Sequence, residues 1–492
     1  MLTKTPFLTG FSALLCGRSK TRKQALLQGQ HDRLLDQSPD GLCTQLATEI
    51  TPELIDQHSH TRRRRVYPHD VTFWAFLSQT ISPDGSCARA VAQVQQWMRS
   101  RQQPVPSAAT TSYVDARQAL PLELLQAVHQ SLCDQLDRSL GADARWRGFP
   151  VKAIDGTSVQ IPDSPANRAT YPLPSGQTEG CGFPVVSLVG LIDLNHGGLR
   201  DFAQSSVHTG EMRGYDQLED CLESGDLFLG DRLFSSYEVV GRLQNKGVHF
   251  IGRNHQSRKL DFRRGTRIGP NERLQTWRKP KQQPPQSRLS AEQWAALPDT
   301  LTMRIIRSHG PDRQGRRRTR YVVTTLLDAE AYPAQEIIGL YAHRWDIELR
   351  FRDIKTTMGM ELLRTQSPAM VEKELMMHLI AYNVIRLLML KAGQTCGVNH
   401  RRISFKGVIQ VLEETRAGFE QVSGRPRRWQ RERDNLLERI GEREVRERPG
   451  RNEPRKKKRR PKSYGWLQRP RHAYFEHFRS DDTPLKILDQ PA

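Results

Sequence analysis

Residues 333–359, PAQEIIGLYAHRWDIELRFRDIKTTMG, decide how the rest of the chain is read. Pro333 stands where a helix start tolerates a missing N–H, and Glu336 falls in the first turn, where the helix dipole favours an acid. Gly359 supplies a stop. One long amphipathic helix is expected. At about 100° per residue, Tyr341, Arg344, Glu348 and Lys355 share one face. Leu340, Ile347, Phe351, Ile354 and Met358 form the neighbouring apolar stripe, which must meet a core. A carboxylate, two cations and a phenol thus stand in a row beside that core. Such a row is usually a solvated face with ion pairs. Here the chain also carries two upstream acids, Asp155 and Asp231, each after a short apolar strand.

A length of 492 residues allows two to four domains. The formal charge of +21 points to a polyanionic partner. Residues 252–320 hold 18 Lys/Arg against 5 Asp/Glu, and residues 425–479 hold 20 against 8, so the remaining body is slightly acidic. Seven cysteines without a Cys-x-x-Cys pair suit reduced thiols in the cytoplasm better than a disulfide framework or a zinc site. The short apolar run 6–16 lacks a signal-peptide cleavage site. The most apolar segment, 375–390, contains His378, Asn383 and Arg386 and is short for a bilayer span, so a buried helix is expected.

Residues 1–145 read as a helical N-terminal DNA-binding domain, with apolar helical spacing over 71–79, 86–98 and 120–140 and four arginines at 62–65. Strand patterns begin near 149. Residues 151–154 and 158–161 flank Asp155-Gly156-Thr157, and 185–194 is a continuous apolar run. Residues 212–222 read as helix, 227–229 as a strand ending at Asp231, 235–245 as a helix capped by Ser235 or Ser236, and 248–251 as a strand. This alternation indicates an α/β layer over 146–370. Residues 254–328 interrupt it as a basic, β-rich insertion with a hairpin over 303–327. A helical region over 371–424 follows, and then a basic DNA-binding tail over 425–492 that includes RKKKRR at 455–460.

Cutting and joining phosphodiesters without a covalent enzyme intermediate calls for two hard divalent cations held by carboxylates from separated, rigid elements. Asp155, Asp231 and Glu348 meet that description. Singly they are weak signals, since Asp-Gly is more often a turn. Asp193, Asp201, Asp346 and Asp353 are rival acids, and Asp346 falls on nearly the opposite helix face from Glu348. No Gly-x-Ser-x-Gly elbow or phosphate-binding loop is present, and His58-Ser-His60 has no partner at zinc spacing.

The spacing Tyr-x2-Arg-x3-Glu-x6-Lys at Tyr341, Arg344, Glu348 and Lys355 resembles the signature of the DDE transposases of the insertion-sequence-four family. So do AIDGTSVQIPD around Asp155 and LFLGDRLFSSYEVVGRL around Asp231. FWAFLSQTISPDGSCARAV and RPGRNEPRKKKRRPKSYGWLQRPR look like the family too, so the likeness runs through most of the chain. The resemblance implies an RNase H-like catalytic core with a β-rich insertion. It implies a DNA transposase that forms a homodimer on paired terminal inverted repeats, excises through hairpin ends and joins 3′-hydroxyls to target DNA. Asp155, Asp231 and Glu348 would be the catalytic, metal-binding triad, with Mg2+ as cofactor and Mn2+ able to substitute. Tyr341, Arg344, Lys355 and Arg232 would contact DNA, and Trp277 or Trp294 would stack on a flipped base. The alternatives are a metal-dependent nuclease of the same fold and an inactive transposase-derived DNA-binding protein.

Overall fold

The computed structural model describes residues 41–446, apart from 60–65, 101, 142–143, 176–179, 256–257, 259, 312–316 and 423–424. The arginines 62–65 and the run 455–460 lie outside the described residues. The N-terminal part is helical: α1 (Leu42–Gln45), α2 (Pro52–Gln57), α3 (His69–Ile81), α4 (Cys87–Ser100), α5 (Thr111–Ala119) and α6 (Leu122–Ser139). Then follow β1 (Val151–Gln160), α7 (Pro165–Thr170), β2 (Val185–Asp193), β3 (Leu199–Ser206), α8 (Glu211–Leu218), β4 (Leu227–Gly230), α9 (Tyr237–Asn245) and β5 (His249–Arg253). The Ser236 hydroxyl caps α9 by accepting from the Val239 N–H. The basic stretch contributes β6 (Thr266–Gly269), β7 (Glu272–Arg278), the short α10 (Ala291–Ala295), β8 (Thr300–Pro311) and β9 (Arg317–Thr324).

These strands form one mixed sheet in the order β3-β2-β1-β4-β5-β9-β8-β7-β6. The β1, β4 and β5 strands run parallel to one another, and the other pairings are antiparallel. The basic stretch therefore extends the sheet from β5. It is also fastened to the loop at its C-terminal end. Arg304 on β8, with no exposed surface, pairs with Glu272 and donates to the carbonyls of Asp328 (3.1 Å) and Tyr332 (2.7 Å). Those carbonyls belong to the loop that enters the next helix.

That helix was expected to be continuous over 333–359 and is not. It divides into α11 (Ala334–Ala342), a tightened 3-10 turn at His343–Trp345, α12 (Asp346–Arg352) and a widened π turn at Asp353–Thr357. The chain beyond Gly359 is tied to the end of β1. Gln160 N–H donates to the Glu361 carbonyl, and Leu363 N–H to that of Gln160, each at 3.0 Å. Reaching that anchor opens the last turn, where the Met358 N–H bonds five residues back to Asp353.

Three helices close the described fold: α13 (Pro368–Cys396), α14 (Phe405–Glu420) and α15 (Pro426–Gly441). With 29 residues, α13 exceeds the short segment read from sequence, so its length no longer argues against a membrane span. Its surroundings do, because 94% of its most apolar window is buried inside the protein. The expected tail begins as the ordered α15, with Trp429, Leu436 and Ile440 in the core. One continuous core joins α1, α3 and α6 to α13, α14, α15 and one sheet face. A second core packs α8 and α9 on the other face. The N-terminal helices thus share their hydrophobic burial with the C-terminal ones. Among the described residues, Cys43, Cys87, Cys133, Cys181, Cys221 and Cys396 are free thiols.

Candidate active site

The parallel strands bring the first two acids together. Val151, Lys152 and Ala153 on β1 face Leu227, Phe228 and Leu229 on β4. Two residues further on, the same offset sets Asp155 opposite Asp231. Gly230 on β4 faces Gly252 on β5, so the next step sets Asp231 beside Arg253. Adjacent strands lie about 4.8 Å apart. Asp155, Asp231 and Arg253 therefore line the C-terminal edge of the parallel ladder, the side on which open α/β sheets usually place their sites.

Asp155 was expected at a strand end, in a break between the short strands 151–154 and 158–161. It lies inside a continuous ten-residue strand instead. The reason is β2, which pairs with β1 from Lys152 through Gln160 and carries it straight across Asp155-Gly156. Only the β4 side stops, at Ala153. Val151, Ala153 and Val159 belong to the core shared with α12 and α13, and Asp155 has their parity, so it faces the same side.

Glu348 arrives from α12 on that face. Gly190, the strand partner of Asp155, leaves the room: a Cβ there would lie 3.1 Å from the Phe351 ring. Phe351 and the fully buried Ile347 seat the helix, and Glu348, one turn before Phe351, stays exposed above the strand ends. Burial first, and then the carboxylates of Glu348 and Asp231, push the Asp155 carboxyl up. They outweigh the Gly156 N–H and the Arg344 guanidinium. The three acids thus share one electrostatic field. Each keeps oxygen available. Asp155 Oδ1 accepts from the Gly156 N–H at 3.0 Å and Asp231 Oδ1 from the Leu233 N–H at 2.7 Å, which leaves each Oδ2. Among the described residues Glu348 has neither a hydrogen bond nor an ion pair. Mutually repelling hard oxygen donors on rigid elements fit a divalent cation such as Mg2+.

Cations flank the acids. Arg344 is 7% exposed, lies over the Trp345 ring at 4.6 Å, and its Nε lacks a hydrogen-bond partner among the described residues. The Tyr341 hydroxyl, pushed up by burial, sits in the fields of Arg344 and Arg253. Arg253 is pushed down by burial and then by Arg232, with Arg320 and Arg344 adding to it. Arg253 and Arg320 were missed in the sequence. The signal for Arg253 was present, since it ends HFIG as Asp231 ends LFLG. Tyr341 and Arg344 are buried, Lys355 is half-buried on the widened turn, and Glu348 and Arg232 are exposed, so the four helix residues are not equally open to a ligand. Trp277 is buried beneath Arg258, whose guanidinium is 3.4 Å from the ring centroid, and half-buried Trp294 has the Lys279 ammonium 5.8 Å from its centroid.

The rival acids have other occupations. Asp193, His196 and Asp137 form a compact group with metal-like composition. However, the His196 Nδ1 accepts from the Gly198 N–H at 3.0 Å, which leaves Nε2 to carry the proton and donate to Asp137 at 3.2 Å. Arg200 also pairs with Asp137, and Asp193 accepts from the Asn195 N–H at 2.7 Å. This network ties α6 to the β2–β3 turn. Asp201 accepts from the Phe202 N–H, Asp346 contacts His343, and Asp353 lies 3.9 Å from Arg350.

Residues 146–384 match the family described as the transposase DDE domain. The chain is 26% identical over 358 residues to the transposase InsG for insertion sequence element IS4 of Escherichia coli (strain K12), covering 71% of this chain and 77% of that protein. A cryo-EM structure of a piggyBac transposase synaptic complex with hairpin DNA aligns over 81% of this chain and 85% of that one, with a TM-score of 0.42 and 10% identity.

Proposed function

We propose that the chain is a DDE transposase of the insertion-sequence-four family, as the matching domain model and relative support, and that it cuts its own element free at terminal inverted repeats and joins it to target DNA. The observation that carries this reading is the alignment of Asp155 with Asp231 at parallel strand ends, beneath Glu348. We read the sheet with α8, α9 and α12 as an RNase H-like core, with β6–β9 as its basic insertion.

Asp155, Asp231 and Glu348 would hold Mg2+, which when bound activates an oxygen nucleophile and stabilises the leaving oxygen of the phosphodiester. The chain's own groups do the rest. Arg232, Arg253 and Lys355 neutralise backbone phosphates, so DNA enters beside the acids. Arg344 and Tyr341, packed between the acids and Arg253, keep that cationic side in register. The basic insertion and the residues 425–492 extend the electrostatic track, and a homodimer holds two element ends. Hairpin formation during excision belongs to this reading, as does a cytoplasmic site of action.

Purified protein incubated with labelled element-end DNA, target DNA and Mg2+ tests it. Strand-transfer products are the expected result. Cleavage without joining would reduce the protein to a nuclease, and a salt-sensitive shift without cleavage would leave only DNA binding.

Lys355→Ala carries a smaller prediction. Each neutralised phosphate contributes about −0.9 to the slope of log K against log salt. End binding by Lys355→Ala should weaken, with a slope shallower by about one contact. An unchanged slope in a salt titration would remove Lys355 from the DNA interface.

A further inference from the structure

We propose that Glu211 is a fourth carboxylate of the catalytic centre, reaching the divalent cation from the sheet face opposite Glu348. This rests on the assignment of Asp155 and Asp231 as metal ligands. The placement of Glu211 follows from the way α8 docks. Tyr215 and Leu218 are buried in the second core, and Gly214 lies so close to β2 that a Cβ there would meet the Val189 Cγ2 at 2.5 Å. That close approach presses the first turn of α8 onto β1. Glu211, one turn before Gly214, then lies against Gly156: a Cβ on Gly156 would fall 2.4 Å from the Glu211 Oε1 and 3.1 Å from its Cδ.

Gly156 follows Asp155 and donates its N–H to that carboxylate. Because the dipeptide is in a strand, no turn requires a glycine there. The seat of Glu211 does. On the β4 side the pairing of β1 ends at Ala153, so the flank beyond it is open. Glu211 is an exposed residue, but its carboxyl is partly desolvated, and that and the fields of Asp155 and Asp231 push it up. Among the described residues no cation pairs with it and no hydrogen bond engages it. An acid held near two others by its helix, without a counter-charge, is repelled by them, and a divalent ion between them offsets that repulsion.

The test is a Mn2+ titration by calorimetry on the full-length protein, with Glu211→Gln and Glu348→Gln alongside. The expected result is Mn2+ affinity about 10-fold or more weaker in each variant. Glu211→Gln should also raise the Mg2+ concentration that half-saturates end cleavage, and its melting temperature without metal should equal or exceed that of the unaltered protein. If Glu211→Gln melts lower, Glu211→Asp, which keeps the charge, takes its place, with affinity between the other two expected. Wild-type Mn2+ affinity in Glu211→Gln, with Glu348→Gln weakened, would overturn the fourth-ligand role and leave the triad standing. Absence of Mn2+ binding by the unaltered protein would overturn the triad assignment itself.

Discussion

Glu348→Gln is expected to abolish end cleavage, with a rate loss on the order of 10³-fold or more, while binding to element-end DNA persists. The substitution removes one charge and almost no volume. Ile347 and Phe351, buried on either side, keep α12 seated against Gly190, so the fold should hold. Glu348 has no ion pair among the described residues that its loss would break. It also repels phosphate unless a cation intervenes, so DNA affinity without metal should rise slightly if it changes at all. Gel-shift and cleavage assays on the same preparation separate the two effects. Cleavage at the unaltered rate would remove Glu348 from the chemistry. Loss of binding and cleavage together would make it a structural residue.

Glu49→Gln is expected to cost about 3 kcal/mol of stability, the largest structural effect we anticipate. Glu49 is fully buried between Arg433 on α15 and Lys391 on α13, with the Lys391 ammonium at 2.7 Å. Burial alone would push its carboxyl up. Arg433 and Lys391 overcome burial and bring it down to about 2, from an ordinary value of 4.5. The folded-state value lies below the unfolded one, so this stabilisation is complete above about pH 4.5 and fades as pH falls towards 2. Glutamine leaves two cations facing a neutral amide in the core. Urea unfolding at pH 7 should show the full deficit, and the gap between variant and wild type should narrow in acid. A gap that does not depend on pH would mean that the charge of Glu49 contributes nothing.

The order of strands and helices from residue 149 onward was legible because strands covered on both sheet faces demand apolar runs, and VVSLVGLID and LFLG provide them. The β3 strand was not, since LRDFAQSS is apolar at only a few positions and owes its place to the β2 ladder. The triad could be picked out as a pattern, but its geometry could not. The constant offset between β1 and β4 sets Asp155 opposite Asp231, and no local feature of either segment contains that offset. Asp155-Gly156 read as a break after a short strand, because Asp-Gly is common in turns. The strand won because β2 spans it. The widened last turn of the 333–359 helix was hidden for a similar reason, since it leads to the anchor at Gln160. Glu211 carries no sequence signal, because its approach to Gly156 depends on the contact of Gly214 with Val189.

The most direct measurement is anomalous diffraction from Mn2+ in crystals of the protein bound to element-end DNA. Peaks bridged by the carboxylates of Asp155, Asp231 and Glu348 are the result this account predicts. Manganese found only at Asp137, Asp193 and His196, with the three carboxylates too far apart to share an ion, would contradict it.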